Sequence, residues 1–532
     1  MRGLGGIEAM NLARSLGSVG GLTLVSRILG LARDMLFAQF VGANFASDAF
    51  TIAWRMPNMF RALFAEGAFS AAFIPMFNKK VADPEGAGLS AGVAFAQDAL
   101  SVLLPALIVM TLILEAFAWP ATYVISGGFN GVSADKFDFA VLLSRITFPY
   151  LMLISLASLA GGILNSLHKF WVAAAAPILL NLAQIVALVF FHTHEPLMTA
   201  QNQAIAVTVG GALQLMWLIQ ACWTNGIHFR IRMPRLSPDV KRLMKLIAPA
   251  AAGAGAVQFN LLVSSALATG LLPHGSVSYI YYADRLNQLP LGLIGIGLGT
   301  VLLPTISHQL GRGAEGEAMT TQNRGLELAL FFTLPATVAL VICGVPIITG
   351  LFQHGQFDAG DALKTGQALA AFSIGLPSYI LVKVLTPGYY ARHDTKTPMR
   401  FAMISIAVNL ILNLALILPL KHVGPPLATA LASTVNVWML YHTLKKRGHF
   451  EADARLRRRV PRLALAAILM GVALYFVTPL VDPYMTGSIV RRALGLFALV
   501  SAGGAVYALA CLLTGGFVLD DLKLMMRRAS RS

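Results

Sequence analysis

The chain has 532 residues, of which 57% are hydrophobic and only 12% charged, and its formal net charge is +16. Ordinary soluble domains are about 25% charged, so this composition excludes a soluble globular protein and predicts an all-α polytopic membrane protein. Basic residues of such a protein gather in its cytoplasmic loops, so the positive charge predicts no nucleic-acid partner.

Apolar segments that are long enough to cross a bilayer follow one another along the whole chain. We predict about fourteen transmembrane helices, at 13–41, 46–78, 90–118, 138–165, 171–192, 201–222, 241–270, 276–308, 322–350, 362–391, 399–419, 424–445, 460–480 and 489–514. Residues 1–12 precede the first helix and are predicted to form a short leader. An even number of spans places both termini on the same side of the membrane.

The basic residues indicate which side this is. They cluster in a linker at 223–240, in a loop at 446–459 and in a tail at 515–532, each of which follows an even-numbered segment. The loops on the opposite side have few basic residues, chiefly Lys136, Lys364, Lys421 and the adjacent Arg491 and Arg492. The positive-inside rule therefore predicts that both termini are cytoplasmic.

The chain also contains an internal repeat. Three residues recur 229 positions later, since Ser47, Asn58 and Pro75 correspond to Ser276, Asn287 and Pro304. The apolar segments recur in the same order. The repeat predicts two six-helix lobes, at 13–222 and 241–445, related by an axis along the membrane normal. Two C-terminal helices at 460–514 lie outside it. Two matching lobes around a central path are typical of a transporter.

The first segment carries charged residues, which are rare in spanning helices because each costs at least about 2.5 kcal/mol at the membrane centre. Arg27 and Asp34 are seven residues apart and share a helix face, whereas Arg33 points about 120° away. One interpretation is that Arg27 pairs with Asp34 or a neighbouring helix and only stabilises packing. The other is that Arg27 and Arg33 bind an anion in a wet cavity, while Asp34 orients an arginine.

The second segment carries four more charged residues. Asp48 and Arg55 share a face, and Arg61 lies near the middle of the span, where its side chain does not easily reach a membrane surface. We predict Arg61 and Arg55 as anion ligands, with Asp48 as a supporting group. Glu66 is either an arginine partner or a proton site, and the sequence does not separate these two roles.

The second lobe offers matching groups. Its equivalent helix contains Asp284 and Arg285, and Arg285 falls one residue past the position that corresponds to Arg55. Each lobe is therefore predicted to contribute basic residues, with Asp284 in support. Asn409 and Asn413 are four residues apart on the eleventh segment, where they form either an interhelical contact or an ion site.

The sequence contains no pattern typical of an enzyme. It has no Ser-His-Asp, H-E-x-x-H or Walker motif, and its three cysteines are too far apart for a metal site. We predict no catalytic residue, no metal and no cofactor. The planar guanidinium group of arginine binds phosphate through two parallel hydrogen bonds, so arginines in both lobes suit a diphosphate-sized anion.

Several blocks of sequence resemble a known family. They are SRILGLARD at 26–34, SDAF at 47–50, RMPNMFRALFAEGAFSAAFIP at 55–75 and YYADRL at 281–286. From about Met10 to the end of the chain, the sequence is similar to the MurJ (MviN) family of lipid II flippases. That family belongs to the multidrug/oligosaccharidyl-lipid/polysaccharide exporter superfamily.

The resemblance implies two lobes that open alternately to each side of the bacterial inner membrane, and a lipid-binding groove at the two C-terminal helices. The implied substrate is lipid II, the undecaprenyl-diphosphate-linked precursor of peptidoglycan. The functional arginines of the family fall on Arg27, Arg33, Arg61 and Arg285. The family also has a basic residue at the position of Arg55.

Some relatives bind sodium through carboxylates on the seventh and eleventh helices. Here those regions contain the amides Gln258, Asn260, Asn409 and Asn413. The expected driving force is therefore the membrane potential or a cation gradient that includes protons.

The sequence thus predicts a monomeric lipid II flippase that works by alternating access, with membrane lipids and cell-wall synthesis proteins as further partners. One alternative is an exporter of another lipid-linked oligosaccharide or of a drug. A second is a cell-wall scaffold that transports nothing. A third, a polyprenyl-phosphate enzyme, requires clustered carboxylates that the basic loops lack.

Overall fold

A computed structural model describes residues 4–64, 68–83, 88–129 and 131–516 of the chain. Every regular element within these ranges is helical, which confirms the all-α fold class. A helix satisfies its own backbone hydrogen bonds, and this is what a chain needs where no water is available to the backbone.

The chain divides into two compact units after Gly275. The described part of the first unit consists of helices α1 Leu4–Val41, α2 Phe45–Phe64, α3 Ala68–Val81, α4 Leu89–Ala116, α5 Ala118–Ser126, α6 Ala134–Ser166, α7 Phe170–Phe190, α8 Pro196–Thr224 and α9 Pro238–Leu271. Helix α6 is central and packs against α2, α4 and α8, while α1 packs along α7. Helix α9 packs against α3 and α5.

The described part of the second unit consists of helices α10 Ser276–Gly311, α11 Glu315–Ile342, α12 Gly344–Phe352, α13 Ala359–Ile374, α14 Leu376–Tyr390, α15 Lys396–Leu420, α16 Gly424–Lys446, α17 Ala454–Val481 and α18 Ile489–Thr514. Short 3-10 helices follow α15 at Lys421–Val423 and α17 at Asp482–Tyr484. One buried core joins α10, α11, α14 and α16 around Leu302, Val384 and Leu440. A second core packs α17 and α18 against α11 around Leu463, Met470 and Tyr507.

The predicted apolar segments coincide with helices to within a few residues. Segments 322–350 and 362–391 are each divided into two helices, and segment 46–78 contains both α2 and α3. The break between α13 and α14 lies at Gly375, where a Cβ would lie 2.8 Å from the Cα of Ala430 on α16, so this close approach requires glycine. Pro377 follows at once and lacks the backbone donor that would continue α13.

Ten segments of the described chain are long and apolar enough to cross a bilayer, and one of them, 396–446, includes both α15 and α16. Helices α1, α2 and α9 are not among the ten, so the number fourteen stays a prediction. Helix α1 already begins at Leu4 and includes most of the predicted leader. Helix α9 packs within the first unit, although the repeat places it at the start of the second lobe. The division into lobes therefore also stays a prediction.

Candidate functional site

Arg33 on α1 is buried in a polar network that joins α1 to α7. Its Nε and Nη2 donate hydrogen bonds to Oδ1 of Asp34 at 3.0 and 2.6 Å, and its Nη1 donates to Oδ1 of Asn181 at 3.1 Å. Asn181 in turn donates to the carbonyl oxygen of Ser26 at 2.9 Å. Asp34 therefore orients Arg33, and both side chains are less than a tenth exposed.

This network stabilises charges that would otherwise be costly to bury. A buried ion loses several kcal/mol of hydration, which is recovered only when its partner and its remaining hydrogen bonds are well placed. Arg33 meets that condition, because Asp34 and Asn181 both accept hydrogen bonds from it. The geometry suits a supporting role for Arg33 more than direct contact with an anion.

Arg27 lies six residues earlier on the same helix and is in a different environment. Its side chain is exposed, as are those of Leu24 and Ile28 next to it. Within the described residues, Arg27 has no hydrogen-bond or ion-pair partner, and Asp34 contacts Arg33 instead. Of the two sequence-based interpretations, pairing of Arg27 with Asp34 is thus not what the structure shows.

The arginines of α2 make local contacts on either side of Pro57. Arg55 Nη1 donates to the carbonyl oxygen of Leu261 on α9 at 3.1 Å, and Arg61 Nε donates to Oδ1 of Asn58 at 2.9 Å. Both arginines are half-buried. Glu66 lies outside the described residues.

Asp48 lies at the opposite end of α2 and contacts the loop that follows α9. Its Oδ2 accepts a hydrogen bond at 2.6 Å from the backbone N–H of Gly275, and the side chain is buried. Nearby, the turn after α5 touches α9 so closely that a Cβ added at Gly127 would lie 2.5 Å from the carbonyl oxygen of Ala266. Asp48 is therefore placed to organise this junction.

In the second unit, Arg285 lies on α10 against an aromatic ring. Its Nε and Nη2 donate to the hydroxyl oxygen of Tyr281 at 3.2 and 2.9 Å, and the guanidinium group lies 5.0 Å from the ring centroid. The preceding residue, Asp284, accepts a hydrogen bond from the side-chain amide of Gln288, one turn along the helix. Arg285 is half-buried.

The two asparagines of α15, Asn409 and Asn413, are buried. Asn409 Nδ2 donates to Oγ1 of Thr429 on α16 at 3.2 Å. The described residues contain no group of three or more His, Cys, Asp or Glu side chains with metal-binding spacing. An interhelical hydrogen bond is thus present, and an ion site at Asn409 and Asn413 stays a prediction.

Two features of the structure were not predicted. Asn181 was not among the predicted site residues, although its position in the apolar helix α7 was a signal of a polar partner. Glu327 on α11 is buried and is bound by three arginines, Arg324 on α11 and Arg455 and Arg459 on α17. The signal for it was a single acidic residue in the predicted apolar segment 322–350, for which the basic loop at 446–459 offered partners.

Comparison with known proteins identifies relatives along nearly the whole chain. A family model described as lipid II flippase MurJ matches residues 37–495. A probable lipid II flippase MurJ from Rhizobium tropici is 40% identical over 524 residues, which is 98% of this chain and 97% of that protein. The lipid II flippase MurJ of Burkholderia cenocepacia is 35% identical over 467 residues, or 87% of this chain and 89% of that protein.

Solved structures agree with these relatives. A lipid II flippase MurJ in an inward closed conformation superimposes with a TM-score of 0.75 at 26% identity, covering 93% of this chain and 98% of that one. A multidrug resistance transporter of the MATE family, solved facing inward, superimposes with a TM-score of 0.64. It is only 14% identical over 79% of this chain and 94% of its own, so it shows a shared fold alone.

Proposed function

The chain belongs to the MurJ family of lipid II flippases, and from this membership we propose that it moves lipid II across the bacterial cytoplasmic membrane. The headgroup of lipid II is large and polar, and a diphosphate joins it to the undecaprenyl tail. We propose transfer from the inner to the outer leaflet by alternating access, in a functional monomer with cytoplasmic termini. The chain is a transporter in this proposal and not an enzyme.

The contrast between Arg27 and Arg33 carries the proposed site. Two arginines on one helix differ in a single respect that matters for an anion: Arg33 is neutralised by Asp34, and Arg27 is exposed without a partner among the described residues. An unneutralised guanidinium group in an apolar helix is costly. Binding of a diphosphate offsets that cost, because arginine pairs with phosphate through two parallel hydrogen bonds.

We assign roles on this basis. Arg27, Arg61 and Arg285 bind the diphosphate, and Arg55 adds positive charge. Arg33 and Asp34 support α1, while Asp48 and Asp284 organise the helices that carry the ligands. The membrane potential or a cation gradient drives the cycle, and Asn409 and Asn413 are the candidate ion site in the second case.

The test measures how much lipid II reaches the outer leaflet. Cells depleted of their own flippase receive this chain, its Arg27→Ala variant or its Thr23→Ala variant, and are exposed to an external enzyme that cleaves lipid II. Thr23 is exposed one turn from Arg27 on α1, so Thr23→Ala is a matched control. We expect the wild type and Thr23→Ala to restore cleavage, and Arg27→Ala to lose it at equal protein level.

The other outcomes separate the alternatives. If all three chains restore cleavage, the flippase assignment stands and the role of Arg27 is wrong. If none does so at normal protein level, lipid II is not the substrate. Another lipid-linked oligosaccharide, a drug or a scaffold role then becomes the better description.

A further inference from the structure

Two adjacent arginines, Arg491 and Arg492, lie in the first turn of α18. The proposed orientation puts them on the outer side of the membrane, where the positive-inside rule disfavours basic residues. The helix dipole disfavours them as well, because the N-terminal end of a helix is partially positive and attracts acidic groups. Neither topology nor helix stability accounts for the pair, so another interaction has to compensate for it.

Both guanidinium groups are held by neutral rings. Arg492 Nη1 lies 2.7 Å from Nδ1 of His354, in the loop after α12, and the Arg491 guanidinium lies 5.1 Å from the ring centroid of Tyr484. Neither arginine forms an ion pair with a carboxylate in the part of the chain that the structure describes. Nε of Arg492 is buried and finds no hydrogen-bond partner there. No described carboxylate thus compensates these two positive charges.

His354 positions Arg492 without neutralising it. Arginine only donates hydrogen bonds, so Nδ1 of His354 must accept this one, which requires the uncharged ring. Burial, with a further contribution from the nearby Arg492 charge, lowers the pKa of His354 and keeps the ring uncharged at neutral pH. The ring therefore fixes the direction of the guanidinium group and leaves its charge available.

The surroundings match the depth of a lipid headgroup. The residues that flank the two arginines on α18 are apolar, and their exposed fractions run from 61% to 84%: Ile489, Val490, Leu494 and Phe497. Apolar side chains this exposed on a spanning helix are covered by acyl chains in a membrane. The arginines therefore lie where acyl chains end and phosphate groups begin.

We propose that Arg491 and Arg492, with His354 as a positioning residue, form an outer-leaflet site for the phosphate of an anionic lipid. The outer-leaflet placement rests on the proposed function and orientation of the chain. The site lies on the second unit, and none of its residues is among the proposed diphosphate ligands. Its phosphate belongs either to a phospholipid headgroup or to the diphosphate of transported lipid II, which share the same chemistry.

Binding is measured on the purified full-length chain in dodecyl maltoside, from the rise in unfolding temperature with ligand concentration. The probes are dioctanoyl-phosphatidylglycerol, dioctanoyl-phosphatidylcholine and lipid II. We expect the double variant Arg491→Gln and Arg492→Gln to bind the anionic probe about tenfold more weakly, because it loses charge-assisted hydrogen bonds. His354→Leu should weaken binding less, and His354→Gln, which keeps an acceptor, should weaken it least.

The control is another adjacent arginine pair near the start of a helix, Arg457 and Arg458 on α17, both exposed. Changing that pair to glutamine should leave binding unchanged. If the 491/492 double variant loses affinity for phosphatidylglycerol, the site binds phospholipid. If it loses affinity for lipid II alone, the site binds the transported lipid. Equal binding of all probes by the wild type and the 491/492 double variant would overturn the site.

The same measurements in an Arg27→Ala background keep this inference separate from the proposed function. If the 491/492 effect persists there, the outer site exists whether or not Arg27 is needed for transport. Orientation is tested by labelling Thr486→Cys in intact cells with a membrane-impermeant maleimide, since the three native cysteines are buried. Labelling only after lysis would overturn the outer-leaflet placement.

Discussion

Replacing Arg33 with methionine removes the cation of the buried pair on α1 and keeps an unbranched side chain of similar reach. Asp34 is only 3% exposed, so its carboxylate would be left buried without the arginine, and Asn181 would lose a donor. Removing one partner of a buried ion pair costs about 3–5 kcal/mol of unfolding free energy. We expect Arg33→Met and Asp34→Asn each to fall in this range.

The double variant Arg33→Met and Asp34→Leu provides the sharper test. Apolar replacement of a whole buried pair is often close to neutral, so the double variant should lose less stability than either single variant, and therefore at least about 3 kcal/mol less than their sum. Arg27→Met on the same helix is the control. It removes an arginine that has no partner among the described residues and leaves no carboxylate unpaired, so it should not lower the free energy of unfolding.

The assay is reversible unfolding of the purified chain in mixed micelles of increasing dodecyl sulfate content, followed by circular dichroism. The flippase assay is run in parallel on the same variants. The supporting role of Arg33 would be refuted if the stability losses of the two single variants simply added in the double variant. It would also be refuted if Arg33→Met folded like the wild type yet did not transport. In the second case Arg33 would be a ligand.

Two further predictions follow from the structure. Gly127→Ala should lower the unfolding temperature more than Gly131→Ala does, because both glycines have positive φ but only at Gly127 would the new Cβ meet backbone, at 2.5 Å from Ala266. Hydrogen bonds from Thr397 and Arg447 hold the pKa of the Asp394 carboxyl, in the loop after α14, below its usual range. The ionised Asp394 carboxyl should therefore stabilise the fold above its unfolded-state pKa of about 3.9. This stabilisation should be lost as the pH falls through the folded-state pKa. Asp394→Asn should remove that part of the pH dependence of the unfolding temperature.

The helices were predictable from sequence because apolar run length is a local property, and α18 begins and ends where its apolar segment does. The division of long segments was less predictable. The break at Gly375 lies against Ala430, a residue that is distant in sequence and is brought near only by packing.

The environments of the charged residues were predictable only in part. Helical periodicity put Arg27 and Asp34 on one face, yet Asp34 binds its neighbour Arg33, since a long arginine side chain can reach the next residue of its own helix. Whether Asp34 pairs with Arg27 or with Arg33 depends also on Asn181 of α7, which accepts a hydrogen bond from Arg33. No pattern within α1 contains that information.

The three arginines around Glu327 have a consequence for how the C-terminal hairpin of α17 and α18 is studied. A chain shortened after α16 would lose Arg455 and Arg459, leaving the buried Glu327 carboxylate with Arg324 as its one remaining arginine from this cluster. Such a deletion would damage α11 as well as remove two helices. Inactivity of the shortened chain would then report a weakened scaffold, and substitutions on the lipid-facing surface of the hairpin are the cleaner way to ask what it binds.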